Sequence, residues 1–184
     1  MVMLGLGLTF FIAIHLLPSF KNLRTTLVAR LGELKYKGIF SVISLLSFVL
    51  IVIGKANAPF IEVWQPPQMF SVATKLLMLP ALIFLVAAYL PSNFKQNIRH
   101  PMLISVKIWA LAHLLINGDL ASMMLFGGFL AFAVIMMISA NKRTEWTKPK
   151  KQSVLMDILV IVMGGAVYAS LGIYHFELFG IPIM

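Results

Sequence analysis

An all-α, polytopic membrane helical bundle of about six transmembrane helices is the fold class that the sequence predicts, and three observations predict it. The 184 residues are 60% hydrophobic and only 11% charged, with a mean hydropathy of +0.95, whereas a soluble domain carries about 25% charged residues. Apolar stretches recur that approach, at about 1.5 Å per residue, the roughly 30 Å of a bilayer's hydrocarbon core. Between them, the basic residues gather in alternate loops. No repeat, linker or low-complexity tract divides the chain, so residues 1–184 read as a single integral membrane domain.

The expected helices are 1–17, 38–54, 69–90, 102–116, 120–140 and 154–174. The first carries no charge, and neither a basic leader nor a small-residue cleavage site accompanies it, so it is expected to remain as a helix. It ends at Pro18. The basic segment that follows sets Leu23, Leu27 and Leu31 at four-residue steps with Arg24 and Arg30 elsewhere on the wheel. That pattern describes either an amphipathic helix on the cytoplasmic leaflet or a cytoplasmic extension of the first helix.

After the second helix, three prolines and Trp64 give residues 55–68 the composition of an ordered interfacial loop, suited to lid a site on the outer face. Lys75 lies about two turns into the third helix, where its stem reaches the interface. Pro101 opens the fourth, at a position where its missing N–H would be unpaired anyway. Gly127 and Gly128 in the fifth, and Gly164 and Gly165 in the sixth, are small surfaces that let membrane helices approach, and Gly127 with Ala131 and Gly165 with Ala169 have small-x-x-x-small spacing. Asp157, one turn into the sixth helix, is expected at the interface, paired with Lys150 or Lys151.

A net charge of +9 invites a nucleic-acid reading, but the placement of the charges overrules their sum. Most of the 15 basic residues fall between Pro18 and Lys37, between Pro91 and Pro101, and between Asn141 and Ser153, while the other loops hold only Lys55. This is the positive-inside pattern. It puts both termini outside and the basic loops in the cytoplasm, as in a multi-pass protein of the cell's inner membrane, with anionic lipids rather than nucleic acid as partners. Oligomeric state leaves no mark on the sequence. The chain has no cysteine, which removes disulfides, thiolate-ligated haem, iron–sulfur clusters and cysteine zinc sites together. Any metal must rest on histidine, carboxylate or methionine.

Two histidines, His15 and His113, stand inside apolar helices, where an imidazole must find a partner. From Pro101, the residues Ser105, Trp109, His113 and Asn117 follow at four-residue steps and share one helix face. A stripe this polar should face protein rather than lipid. His113 lies about 18 Å beyond Pro101 at helical rise, near mid-membrane, and His15 about 22 Å from the outer end of its helix. A hydrogen bond to a neighbouring carbonyl or hydroxyl would satisfy either one. Two together, with no competing thiol, fit a bis-histidine haem b, since a helical bundle can hold a flat macrocycle between facing side chains. By depth, His100 at the cytoplasmic boundary competes with His113 as the partner of His15, or else caps its helix or meets lipid phosphate. Arg99 and Arg24 on the same side suit haem propionates, or serve only as positive-inside residues. His175, at the outer boundary, has no assigned role.

The order of an early helix with His15, the Arg24–Thr25 pair in a basic loop, the Arg99–His100–Pro101 triplet, and WALAHLLINGDLASMMLFGGF from Trp109 to Phe129 resembles the NnrU family. The likeness spans most of the chain, although the last helix matches by hydropathy alone. The family is named for its association with nitrite and nitric oxide reduction in denitrifying bacteria, and it is similar to the plant 15-cis-zeta-carotene isomerase, a membrane enzyme that uses haem b. The resemblance implies a haem-binding membrane protein with His15 and His113 as axial ligands and metal-bound residues, and His100 in reserve. Trp109 and Asn117 of the motif and Arg99 of the triplet would border the cofactor. Isomerase chemistry on a hydrophobic molecule would further require one ligand to leave the iron.

Three function classes therefore stand beside one another. The first is a haem b protein with redox or cis–trans isomerase-type chemistry. The second is a non-enzymatic membrane factor for haem binding, sensing or delivery. The third, a small proton-coupled transporter, is disfavoured by a scarcity of buried acids and the absence of repeated halves.

Overall fold

The computed structural model describes residues 1–143 and 145–181. Its helices, in chain order, are α1 (Val2–Leu16), α2 (Lys21–Leu31), α3 (Glu33–Ala56), α4 (Met69–Tyr89), α5 (Phe94–Asn97), α6 (Pro101–Ile116), α7 (Leu120–Arg143), α8 (Val154–Ile173) and α9 (His175–Phe179). Among the described residues, five segments are long and apolar enough to cross a membrane: α1 with the turn after it, α3, α4, α7 and α8; α6 is a shorter apolar helix. The chain is an all-helical, multi-pass membrane protein. At 16 residues α6 spans about 24 Å, less than a hydrocarbon core. His113 sits in the last turn of this helix, 12 residues beyond Pro101.

The chain divides into two compact units. In the first, Met1–Gln65 with Gly118–Arg143, α1 lies along α3 and both touch α7. Leu4, Leu8, Ile51 and Ala121 form its buried apolar centre. A Cβ on Gly7 would stand 2.8 Å from the backbone nitrogen of Ile51, and a Cβ on Gly54 would overlap the backbone of Leu4. Two glycines facing one another's helices thus let α1 and α3 meet backbone to backbone. Gly32, at φ +79°, separates α2 from α3 with a conformation that a Cβ would strain. A single turn of 3₁₀ helix, Leu17–Ser19, ends α1. The basic segment is therefore a separate helix, α2, with no buried residue, and not an extension of the first.

In the second unit, Pro66–Asn117 with Thr144–Met184, α4 packs on both α6 and α8. Gly164 makes the close approach, since a Cβ there would lie 2.7 Å from the Cα of Ile83. Gly127 and Gly165, singled out by spacing, have nothing within 4 Å of a would-be Cβ. Spacing finds small residues, but it does not say which side of the helix has a neighbour. Thr74 of α4 donates its hydroxyl to the carbonyl of Ala112 in α6 at 2.8 Å. Asp157 is held by Asn93, whose amide and side-chain nitrogens both donate to it at 2.7 Å, rather than by Lys150 or Lys151. Asn93 also exchanges hydrogen bonds with the backbone of Gln152, which ties the loop after α4 to the start of α8.

Candidate functional site

Three polar places stand out, two around histidines and one around an ion pair. His113 belongs to the second unit. Its Nδ1 lies 2.9 Å from the carbonyl of Trp109, one turn earlier. A carbonyl only accepts, so in the neutral ring the proton sits on Nδ1 and Nε2 keeps the lone pair. The indole of Trp109 lies beside the imidazole, with ring centroids 5.4 Å apart. Asn117 ends α6, and both its backbone and side-chain nitrogens donate to the carbonyl of His113, at 3.0 and 2.8 Å. Trp109, His113 and Asn117 form one chain of contacts, as the four-residue stripe predicts, and Ser105 of the same stripe is buried.

His15 belongs to the first unit and repeats the same device. Its Nδ1–H donates to the carbonyl of Phe11 at 2.7 Å, leaving Nε2 with the lone pair and with no hydrogen bond among the described residues. Aromatic rings from three helices surround it. Phe11 of α1 stacks on it at 4.1 Å, while Phe40 of α3 and Phe132 of α7 meet it edge-on at 5.2 and 5.9 Å. The part-buried imidazole is thus ringed by aromatic side chains.

The remaining predicted residues are more scattered. Arg24 is exposed on α2, with its guanidinium 5.9 Å from the ring centre of Tyr36. His100 is the residue preceding α6; its carbonyl accepts from Ile104, but its side chain does not cap the helix. Arg99, partly exposed, precedes it. Arg24 and His15 lie in the first unit, and Arg99, His100, Trp109, His113 and Asn117 in the second. His175, in the second unit, also donates Nδ1–H to a carbonyl, that of Ile181 at 2.7 Å. Among the described residues, no three histidine, aspartate or glutamate side chains are grouped to hold a metal ion, and axial ligation of haem asks for no more than two.

The third place was not legible as a site. Lys55, at the end of α3, donates to Asp119 at 3.1 Å and to the hydroxyl of Ser122 at 2.7 Å. Asp119 caps α7 by accepting from the amide of Ser122 at 2.9 Å. Burial alone would raise the pKa of Asp119, but the hydrogen bonds from Ser122 and Lys55 and the nearby ammonium outweigh it and hold the carboxyl below its ordinary value. The proline-bearing loop closes on the same spot. Val63 and Trp64 donate backbone N–H groups to Gly118, and Leu120 donates to Ile61 at 2.8 Å. The signal in the sequence was charge scarcity, since Lys55 and Asp119 are opposite charges in loops otherwise almost without any.

No curated protein and no solved structure matches the chain. A family model described as "NnrU protein" matches residues 3–183, from the second residue of α1 to the end of the chain but one. With that match covering every helix and both histidine sites, the chain belongs to the NnrU family.

Proposed function

We propose that this member of the NnrU family binds haem b within the membrane through histidine Nε2 atoms, with His113 and His15 as ligands and His100 in reserve. The observation that carries this reading is the shared tautomer. Each imidazole donates Nδ1–H to a carbonyl of its own helix, which in the neutral ring leaves the lone pair on Nε2. Metal-ligating histidines are commonly held in this way, because a hydrogen bond from the other ring nitrogen fixes ring orientation and raises basicity. The donor set fits haem: neutral imidazoles, aromatic surroundings and no thiolate. Arg99 and Arg24 are the guanidinium groups suited to propionates.

When bound, haem supplies a redox-active iron whose potential its ligands and surroundings set. The residues of the chain would hold each ring in one tautomer, surround His15 with Phe11, Phe40 and Phe132, set Trp109 beside His113, and fix the end of α6 through Asn117. The reading extends to redox or cis–trans isomerase-type chemistry on a hydrophobic molecule, or to a task linked to nitrogen-oxide reduction, in the inner membrane with the basic loops in the cytoplasm.

Titration of the detergent-purified protein with haemin tests the ligands. The expected result is saturable binding with a Soret shift that His113→Ala and His15→Ala each weaken by about tenfold or more. Binding untouched by either substitution would remove both from the iron. His100→Ala and His175→Ala, run alongside, show which other imidazole replaces them. Carotenoid composition in cells with and without the protein separates the chemistries. A change that requires His113 supports isomerisation, and unchanged carotenoids with impaired denitrification support the nitrogen-oxide role.

A further inference from the structure

The first unit carries a second polar feature that haem binding does not use. Where the turn after α1 meets the end of α7, a cleft of about 340 Å³ opens, lined by Ser19, Phe20, Lys21, Asn22, Lys142 and Arg143. Three of the six are cations and none is an acid. Arg143 is held in place: its Nη1 donates to the carbonyl of Pro18 at 2.9 Å and its Nε to that of Ser139 at 3.3 Å. Nη2 has no partner among the described residues. A guanidinium anchored on one edge, with two ammonium groups, a hydroxyl and an amide beside it, is a donor set without an acceptor of matching charge.

We propose that this cleft is a binding site for a phosphate ester, and that the headgroup of an anionic phospholipid is its occupant. The chemistry is that of a phosphate: several oxygens of diffuse negative charge, matched by a planar guanidinium and two mobile ammonium groups. A volume of about 340 Å³ is at the low end of small-molecule sites, enough for a headgroup. Its placement favours lipid over a free phosphate. The cleft lies at the ends of two membrane-crossing helices, the level at which headgroups are found. Phe20, on its wall, is 63% exposed, and Leu23, one turn on, is 48% exposed, so apolar surface adjoins the cations where acyl chains begin. The first turn of α2 has no side-chain cap, which leaves further backbone N–H donors at the same end. Other basic residues of the loops lie outside this lining, and Lys37 is already paired with Glu33 at 2.9 Å.

Native mass spectrometry of the whole protein in detergent, supplied with phosphatidylglycerol or phosphatidylcholine, tests the proposal. The expected result is retention of phosphatidylglycerol in preference to phosphatidylcholine. Lys21→Gln with Lys142→Gln should weaken that retention by about tenfold to thirtyfold, the effect of two cations near a headgroup. Both lysines are exposed, so the fold tolerates the change. Lys35→Gln with Lys37→Gln removes the same charge from the start of α3, outside the cleft, and should leave retention as it was. Inorganic phosphate forms the second arm. Competition by millimolar phosphate, lost in the Lys21/Lys142 variant, would assign the cleft to phosphate in general and extend it beyond lipid. Equal weakening by both lysine pairs would show a diffuse basic field and overturn the site, as would the absence of both lipid preference and phosphate binding.

Discussion

A histidine in an apolar helix has two ring nitrogens and no water for either, and in both sites the preceding turn of the helix takes one of them. That leaves the chemistry to Nε2. The ring positions were legible in the sequence because an imidazole among leucines is conspicuous, but the tautomer was not, since it depends on which carbonyl lies within reach. The ion pair was harder to read, because Lys55 and Asp119 are 64 residues apart. Asp119 titrates below its ordinary value in the folded protein. Its contribution to stability is therefore whole above the unfolded carboxylate value and is lost as pH falls through the folded one. Thermal unfolding in detergent, followed downward from neutral pH, should show a decline confined to the acid range. Lys55→Met should cost about 2 kcal/mol at neutral pH, where the buried carboxylate loses its charged partner, and should flatten that decline. A variant that matches the parent at every pH would mean that the pair contributes nothing. Thr74→Val tests a neutral bond in the same way, with a loss of about 1 kcal/mol expected for the hydroxyl given to Ala112.

Helices were legible as elements because a membrane segment must be apolar throughout and about 20 residues long. The observed α4 and α8 lie within one residue of the expected 69–90 and 154–174, whereas α3 begins at Glu33, five residues before the expected 38. The extra turn carries Glu33, Lys35 and Lys37, so hydropathy could not see it although Tyr36 within it is buried, and Gly32 rather than a change in composition sets the boundary. Packing partners were less legible than helices. Gly7 and Gly54 carry the contact of α1 with α3, while Gly127 and Gly165 face open space, because periodicity places residues on a face without saying what lies opposite. Gly54→Leu should destabilise the protein by about 1–3 kcal/mol or more, measured as a lower midpoint of thermal unfolding in detergent. Gly127→Ala should leave it within about 0.5 kcal/mol or raise it slightly, as alanine favours a helix. The reverse order of effects would mean that the α1–α3 contact is misassigned. Asp157→Ala should free the loop after α4 by removing both bonds from Asn93, and faster amide exchange at residues 91–97 is the expected readout.

At the scale of the whole molecule, membrane crossing is legible in composition, and the basic loops carry the expectation of its direction. Reporter fusions after Asn57 and after Lys148 should report opposite sides of the membrane; the same side for both would break the six-crossing arrangement. Which histidines share a ligand was never legible, because residues 98 positions apart in sequence can meet only through the fold, and depth alone pairs His15 as readily with His100. His15 lies in one compact unit and His113 in the other. The most direct test of haem ligation is the optical spectrum of the purified, haem-loaded protein, recorded oxidised and after dithionite reduction. Haem b bound by two imidazoles predicts a sharpened Soret band and resolved α and β bands on reduction, lost in the His15→Ala, His113→Ala double variant at unchanged protein yield. A parent protein with no Soret band, or a double variant with the parent's spectrum, would contradict it.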